Sequence, residues 1–343
     1  MPETPLKLTV KDFKSDQEVR WCPGCGDYAI LAAVQSFMPE LNIPRERIVF
    51  VSGIGCSSRF PYYMNTYGMH SIHGRAPAIA TGLSVSRPDL SVWVVTGDGD
   101  ALSIGGNHLI HALRRNVNLK ILLFNNRIYG LTKGQYSPTS ELGKVTKSTP
   151  VGSADSPFNP LSLALGADAT FVARTLDSDR KHLQSVLRAA ADHNGSAFVE
   201  IYQNCNIFND GAFETLKDPA TRDDYLIRLE HGQPITFGAD RQWCVVHPPG
   251  AFGLKVRRTA ETPADHILVH DAAVPEPAYA FALSRLPDLD LRHTPIGVLR
   301  SVERPSYDEL VRSQVSAAQA TLTRSPQEEL ASLLNSGDTW TIV

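Results

Sequence analysis

The chain has 343 residues, of which 42% are hydrophobic and 20% are charged, and its formal net charge is −3. These proportions are ordinary for a globular protein, and the absence of like-charge runs argues against nucleic acid or an anionic membrane as a partner. The longest apolar runs have the length of a strand, and the first residues lack a signal-peptide pattern, so we expect a cytoplasmic protein without membrane spans. In a reducing compartment its five cysteines are expected to be metal ligands or core residues.

Strand-length apolar segments alternate with helical patterns over the first part of the chain. A first helix is predicted with Asp27 as its cap and an apolar stripe from Ile30 to Leu41. Buried strands are predicted at residues 47–53, 90–97, 119–126, 169–175 and 197–203. This alternation predicts an α/β fold, in which a mostly parallel sheet carries helices on both faces and binds ligands at the carboxyl ends of its strands.

The composition changes near residue 231, where prolines and short strand-like segments become frequent. Residues 1–230 contain every chemical motif, and we expect them to form the cofactor-binding domain. Residues 231–343 are interpreted as a C-terminal extension that packs on this core and on a partner subunit, with a predicted helix in "SYDELVRSQVSAAQATL".

The most informative stretch is "TGDGDALSIGGNHLIHALRRNVNLKILLFNNRIYG", residues 96–130. One predicted strand ends at Gly97-Asp98-Gly99 and the next ends at Asn125-Asn126, so their oxygen-bearing side chains are expected at one sheet edge. Glycines and helix-start N–H groups suit phosphate oxygens. Asp98, Asn126 and the carbonyl of Ile128 are hard oxygen ligands suited to Mg²⁺.

This stretch resembles the thiamine diphosphate motif, in which a G-D-G is followed at roughly this spacing by an asparagine. In this chain, 25 residues lie between Gly99, which ends the G-D-G, and Asn125, which begins the N-N pair. The resemblance predicts a site for the diphosphate and its magnesium ion, with Gly97, Asp98, Gly99, Asp100 and Asn126 as cofactor-binding residues. The competing interpretation is an ordinary strand-to-helix turn and a solvated strand end.

Four cysteines are expected at the same edge. Cys22 and Cys25 form a C-x-x-C pair before the first helix, whereas Cys56 and Cys205 each follow a predicted strand. A thioredoxin-like dithiol, a structural zinc site and an iron–sulfur cluster are all open on spacing alone. The scattered spacing favours the iron–sulfur site, and Cys244 is interpreted as a buried structural residue.

Taken together, the motifs resemble the β subunits of 2-oxoacid:ferredoxin oxidoreductases over residues 15–230. The resemblance rests on "WCPGCG", "GIGCSS", "HSIHGRAPAIATG", "GDGDALSIGGNH" and "NNRIYGLTKGQ". The segments "YGMHSIHGRAPAIATGLSVSRP" and "KGQYSPTS" are most similar to the 2-oxoglutarate-type members. The family oxidises a 2-oxoacid with coenzyme A to the acyl-CoA and CO₂, and passes the electrons to ferredoxin.

The resemblance also implies which residues do what. A 4Fe–4S cluster would be held by Cys22, Cys25, Cys56 and Cys205; magnesium by Asp98, Asn126 and the Ile128 carbonyl; and the thiamine site would be lined by Ser57, Ser58 and His73. It further implies an α subunit that supplies the pyrimidine-binding domain, so this chain alone is expected to be inactive.

His73 is the candidate catalytic residue, and Arg75 and His70 of the same segment are weaker candidates for contacts with diphosphate or substrate. His108 and His111 lie one turn apart on a predicted helix and are interpreted as ordinary helix residues. Two other functions remain open: a non-redox thiamine diphosphate decarboxylase or carboligase subunit with a structural zinc, and a non-catalytic metal-binding scaffold. The sequence leaves open which 2-oxoacid is used.

Overall fold

The structure is a computed structural model that describes residues 7–251, 253–288 and 290–342. The described residues form eleven strands: β1 (Ile48–Ser52), β2 (Tyr67–His70), β3 (Ser91–Gly97), β4 (Lys120–Asn125), β5 (Phe171–Leu176), β6 (Ala197–Tyr202), β7 (Leu226–Arg228), β8 (Thr236–Phe237), β9 (Trp243–Val246), β10 (Lys255–Arg258) and β11 (Thr294–Ser301).

The same residues form ten α-helices: α1 (Asp27–Phe37), α2 (Phe60–Tyr63), α3 (Ala76–Ser86), α4 (Gly106–Arg114), α5 (Pro160–Gly166), α6 (Arg180–Asp192), α7 (Arg222–Tyr225), α8 (Ala278–Ser284), α9 (Tyr307–Ala320) and α10 (Pro326–Leu334). Short 3₁₀ turns and one π-helical turn at Asp100–Ile104 lie between them. No helix in the described part of the chain has both the length and the apolar character needed to cross a membrane.

Eight strands form one sheet in the order β2-β1-β3-β4-β6-β5-β11-β7, in which β1 to β6 are parallel to one another. The five predicted strands are β1, β3, β4, β5 and β6, so the predicted α/β class is confirmed. Every residue of β1, β4, β5 and β6 is buried, as expected for strands covered on both faces.

Alternate residues of the central strands point to opposite faces of the sheet and pack into two separate hydrophobic cores. Phe50, Trp93 and Phe124 point toward the face covered by α1 and α6. Their neighbours Val51 and Val94 point toward the other face, where α3, α4, α5 and α8 pack. Helices on both faces leave the strand ends as the open part of the sheet.

The helix α1 begins at Asp27, but the prediction that Asp27 caps it was wrong. Gly26 is the cap residue, and the Asp27 side chain is buried without a capping hydrogen bond. Gly26 donates its N–H to the carbonyl of Asn204 at 3.1 Å. A Cβ on Gly26 would lie 2.0 Å from Oδ2 of Asp177, so only glycine fits at this close approach.

The segment after residue 231 is built into the same sheet. β11 lies antiparallel to β5 and parallel to β7, while β8, β9 and β10 form a separate antiparallel sheet. Helix α8 packs on α5, and α9 packs on α3. The following stretch, from Leu322 to Ile342, is exposed almost throughout.

Candidate functional site

Four loops leave the sheet at one edge and carry side chains that can bind metal ions. Cys56 follows β1, Asp98 follows β3, Asn126 follows β4 and Cys205 comes shortly after β6. These four strands are parallel neighbours in the order β1-β3-β4-β6. Their carboxyl ends therefore lie side by side, with a cysteine on either flank of the acidic and amide residues.

A first cavity opens between the loops after β1, β3 and β4. It brings together most residues that the sequence assigned to thiamine diphosphate. The lining consists of Ile54, Gly55, Cys56, Ser57, His73, Gly97, Asp98, Gly99, Asp100, Phe124, Asn126, Ile128, Tyr129, Gly130, Leu131 and Thr132.

Asp98 is one of the two acidic residues that line this cavity, together with Asp100, and it is almost completely buried. Its Oδ2 accepts hydrogen bonds from Oγ of Ser137 at 2.5 Å and from Oγ1 of Thr139 at 2.6 Å. Burial raises the pKa of the Asp98 carboxyl, and the two hydroxyls oppose that rise. A cation in the cavity would favour the charged carboxylate further.

Asn126 and Ile128 form a tight turn beside Asp98. The N–H of Ile128 donates to Oδ1 of Asn126 at 3.1 Å. The intervening Arg127 has a φ of +56°, a left-handed conformation that is uncommon outside glycine and asparagine. This turn places both neighbours of Arg127 in the lining of the first cavity.

Gly99 is required by the ring of Tyr129. A Cβ at Gly99 would lie 2.2 Å from Cε1 of that ring, and the Tyr129 hydroxyl donates to the Gly99 carbonyl at 3.0 Å. Nearby, Ser57 Oγ lies 3.4 Å from where a Cβ of Gly97 would be. The backbone of the G-D-G turn is thus held close to the side chains on both sides of the cavity.

Asp100 connects the loops around the cavity. Its Oδ1 accepts the N–H groups of Ile54 at 3.0 Å and Gly74 at 2.7 Å, and its Oδ2 accepts the hydroxyl of Thr96 at 2.7 Å. Nδ1 of His73 lies 2.8 Å from Oδ1. Both oxygens of Asp100 therefore have protein partners, a positioning role that the sequence did not indicate.

The remaining residues of the histidine segment are spread around this cavity. The side chain of His73 lines it and is 32% exposed. Nδ1 of His70 lies 2.7 Å from the carbonyl oxygen of Ser58, which is fully buried outside the lining of the cavity and has an unpaired hydroxyl. Arg75 contacts Nε2 of His108 on α4.

A second cavity, of about 350 Å³, contains all four predicted cluster cysteines. Cys22 is exposed, whereas Cys25, Cys56 and Cys205 are partly buried. Aromatic and apolar side chains complete much of the wall. The lining consists of Arg20, Trp21, Cys22, Pro23, Cys25, Cys56, Arg59, Asn126, Gly130, Leu131, Lys133, Cys205, Asn206, Ile207 and Phe208.

Gly130 shows how close the sulfur atoms lie. A Cβ built on Gly130 would be 3.4 Å from Sγ of Cys56 and 3.7 Å from Sγ of Cys205, although these cysteines are far apart in sequence. Cys56, Asn126, Gly130 and Leu131 line both cavities. The two cavities therefore share a wall.

The environment of Cys25 and Cys56 disfavours free thiolates. Burial raises the pKa of Cys56 to about 12, and the carboxylate of Asp27 adds to that rise. Burial, followed by the Asp27 carboxylate, also raises the pKa of Cys25. Thiolates at these positions would need a positively charged metal centre as their partner.

Contacts from residues that the sequence did not single out hold the cysteine loops. Trp21 donates its indole N–H to the carbonyl of Cys56 at 2.7 Å. Nε2 of Gln203 donates to Sγ of Cys25 at 3.3 Å. The tryptophan beside the C-x-x-C pair was the one available signal. Cys244 lies apart in β9, fully buried, as predicted for a structural cysteine.

Comparison with known proteins adds a family context to this geometry. Residues 53–201 match the family described as thiamine pyrophosphate enzyme, C-terminal TPP binding domain. The chain is 65% identical over 342 residues to 2-oxoglutarate oxidoreductase subunit KorB of Mycobacterium tuberculosis, which covers 100% of this chain and 91% of that protein.

Two further matches agree. The 2-oxoglutarate synthase subunit KorB of Methanocaldococcus jannaschii is 40% identical over 206 residues, or 60% of this chain and 76% of that protein. A solved structure is similar with a TM-score of 0.76 and 34% identity, covering 96% of this chain and 97% of the other. It is the 2-oxoglutarate:ferredoxin oxidoreductase from Magnetococcus marinus with 2-oxoglutarate, coenzyme A and succinyl-CoA bound.

Proposed function

The chain belongs to the β subunits of the 2-oxoglutarate (2-oxoacid):ferredoxin oxidoreductases, and from this we propose that its first cavity holds magnesium thiamine diphosphate and its second a 4Fe–4S cluster. The substrate we propose is 2-oxoglutarate, converted with coenzyme A to the acyl-CoA and CO₂ while ferredoxin takes the electrons. The observation that carries this proposal is the wall shared by the two cavities.

The donor set of the first cavity fits a magnesium diphosphate. Asp98 contributes a buried carboxylate, and Asn126 a side-chain oxygen that accepts only one hydrogen bond from the described residues, the 3.1 Å bond from Ile128. Mg²⁺ prefers such oxygen ligands and commonly bridges phosphates. We assign the Ile128 carbonyl as the third protein ligand, and Gly97 and Gly99 as backbone that approaches the phosphates.

Ser57 and His73 would complete the diphosphate side of the cavity. Both line it, and Nδ1 of His73 lies 2.8 Å from Oδ1 of Asp100. Ser58 is assigned a supporting role because its carbonyl accepts hydrogen bonds from Ser52 and His70. Asp100 is assigned the same role, since it ties these loops to the G-D-G turn.

The second cavity fits a polynuclear cluster better than a single ion. Zinc bound at about 2.3 Å by four sulfurs would require sulfur atoms about 3.8 Å apart. Within the described ranges, no three His, Cys, Asp or Glu side chains group closely enough to hold one metal ion. Four cysteines around about 350 Å³ leave room for iron and inorganic sulfide.

The two proposed centres would be separated by the shared wall alone, which consists of Gly130 and a few neighbouring residues. Thiamine diphosphate, when bound, supplies the electron sink for loss of CO₂, and the cluster supplies a one-electron carrier. Gly130 has no side chain to fill the gap, and Leu131 adds an apolar side chain to the shared wall.

An α subunit and ferredoxin are the proposed protein partners. The region after residue 231 is proposed as an extension of the 1–230 cofactor domain that also contacts a partner subunit. Its end exposes large apolar side chains, namely Leu330, Leu333, Leu334, Trp340 and Ile342. Exposed apolar clusters of this kind are typical of interaction surfaces. We place the complex in the cytoplasm.

The proposal is tested on the copurified αβ complex, prepared without oxygen. We expect brown protein with about four irons and four sulfides per β chain. Reduction of a low-potential dye should require thiamine diphosphate, Mg²⁺ and coenzyme A, and should be fastest with 2-oxoglutarate among a panel of 2-oxoacids.

Two outcomes would overturn it. Colourless protein with one bound zinc, active without an electron acceptor, would identify a non-redox thiamine enzyme. Thiamine diphosphate binding that is unchanged in Asp98→Ala would contradict the assignment of the first cavity.

A further inference from the structure

The side-chain partners of the Asp98 carboxylate all lie on one of its oxygens, and the backbone N–H groups of Asp98 and Gly99 lie near the same carboxyl group. Its Oδ2 accepts both hydroxyl contacts, from Ser137 at 2.5 Å and from Thr139 at 2.6 Å, and all three side chains are at most 2% exposed. An oxygen that accepts two hydrogen bonds has little capacity for a further partner. Among the described residues no side chain donates to the other oxygen, Oδ1, which makes Oδ1 the better placed of the two to meet a cation.

Asn125 extends these contacts into the sheet. Its Oδ1 lies 2.8 Å from Oγ1 of Thr139 and accepts the N–H of Arg127 at 3.1 Å, while its Nδ2 donates to Oε1 of Glu200 at 2.7 Å. These two outer partners fix which way the amide faces. Thr139 has one hydroxyl proton, and the charged carboxylate of Asp98 is the stronger of its two acceptors.

A buried ion pair ends this chain of contacts. Oε2 of Glu200 accepts from Nε of Arg174 at 2.7 Å, and the two side chains are 0% and 2% exposed. Nη1 of Arg174 lies 3.4 Å from the carbonyl of Pro295 in β11. A buried pair of this kind tolerates little displacement, because removing one partner leaves the other charge uncompensated.

We propose that Ser137 and Thr139 are positioning residues that orient the Asp98 carboxylate so that Oδ1 faces the magnesium ion of thiamine diphosphate. Asn125 and the Arg174–Glu200 pair anchor them to β4, β6, β5 and β11. This inference rests on the proposed function of the first cavity. Neither hydroxyl touches the reacting atoms in this assignment.

The test measures binding of thiamine diphosphate to the copurified αβ complex by calorimetry, at a series of Mg²⁺ concentrations and without substrate. Thr139→Val removes the hydroxyl and keeps the shape, and we expect it to raise the Mg²⁺ concentration needed for half-maximal binding by about tenfold or more. Thr139→Ser keeps the hydroxyl and should remain within about threefold of the wild type. Thr321→Val is the control, because that threonine is exposed and lies at the end of α9 in the C-terminal extension.

Metal dependence separates positioning from general loosening of the fold. In Thr139→Val, the iron content of the complex should stay at the wild-type value. The melting temperature of the complex without thiamine diphosphate should also stay at the wild-type value. A fall in both together, with the Mg²⁺ requirement unchanged, would overturn the inference. If Thr139→Val does not assemble, Ser137→Ala removes the other hydroxyl and is judged by the same criterion.

Asp98→Ala keeps the two proposals distinguishable. Loss of binding in Asp98→Ala with wild-type binding in Thr139→Val and Ser137→Ala would overturn only the positioning role. Wild-type binding in Asp98→Ala would overturn the magnesium assignment itself.

Discussion

Nδ1 of His73 lies 2.8 Å from Oδ1 of Asp100, and this contact joins the loop after β2 to the turn after β3. The same carboxylate accepts the N–H groups of Ile54 and Gly74. The histidine that faces the first cavity therefore lies against a carboxylate that also holds the loops around it.

We expect Asp100→Asn to destabilise the protein and weaken thiamine diphosphate binding. An amide replaces one acceptor oxygen with a donor, so at least one buried partner is left unpaired, at a cost of about 1–3 kcal/mol. Thermal melting of the complex measures the first effect and calorimetry the second. Asp89→Asn, at an exposed pair with Arg87, should leave both unchanged. Equal melting of the two variants would contradict the connecting role of Asp100.

Replacing Cys205 with serine should remove the cluster and spare the thiamine site. Serine is a harder, poorer ligand for iron, so iron and sulfide per chain should fall well below the wild-type values. Cys244→Ser is the matched control, because that cysteine is buried in β9 away from the second cavity. Loss of thiamine diphosphate binding together with iron would mean that Cys205 supports the fold.

The size of residue 130 should decide whether the cluster forms. A Cβ at Gly130 would make ordinary contacts at 3.4 and 3.7 Å with the sulfurs of Cys56 and Cys205, so Gly130→Ala should keep its iron. Gly130→Val places two further methyl groups on that Cβ, next to the sulfurs of Cys56 and Cys205. We expect this variant to lose iron and the ability to reduce the dye. Gly337→Val, at a position with open space, is the control. Full iron content in Gly130→Val would argue against a cluster next to this wall.

Gly99→Ala should weaken thiamine diphosphate binding through Tyr129. The added methyl group would collide with the ring at 2.2 Å, forcing either the turn or the ring to move. If the ring is the obstacle, Gly99→Ala combined with Tyr129→Ala should bind better than Gly99→Ala alone. Binding constants for both single variants and the double variant test this, and additive effects would exclude the steric explanation.

Acid should destabilise the protein partly through two partly buried histidines. Burial lowers the pKa of His182 and His193 to about 4 each, whereas an unfolded histidine titrates near about 6.5. Between these values the unfolded chain binds more protons, so stability falls as pH drops through this window. We expect the melting temperature to fall less between about pH 6.5 and 5 in His182→Gln/His193→Gln. Equal pH slopes would contradict this account.

Much of the central fold could be predicted from sequence because its signals are local. β1, β3, β4, β5 and β6 lie in short, largely apolar segments, a pattern typical of strands buried on both faces, although β5 and β6 also contain the buried Arg174 and Glu200. The family resemblance is also confirmed, since it rested on several separate motifs. The assignment of individual ligands stays a prediction.

What the sequence did not indicate depends on distant partners. β11 contains a proline and a glycine and becomes a strand through its pairing with β5 and β7. Ser137 and Thr139 belong to a segment without regular structure, 39 and 41 residues from the Asp98 carboxylate that they contact. Asp27 was assigned as a cap because nothing local shows that the preceding glycine is pressed against Asp177 and Asn204.

The position of β11 has a consequence for how the chain is made. Strand β5 has β6 on one side, but its other edge is covered only when residues 294–301 arrive, and β7 pairs with the sheet through the same late strand. While the ribosome is still synthesising the intervening residues, β5 presents an open edge of unpaired backbone groups. A nascent chain stalled before residue 294 would therefore expose an unpaired strand edge that is prone to aggregation.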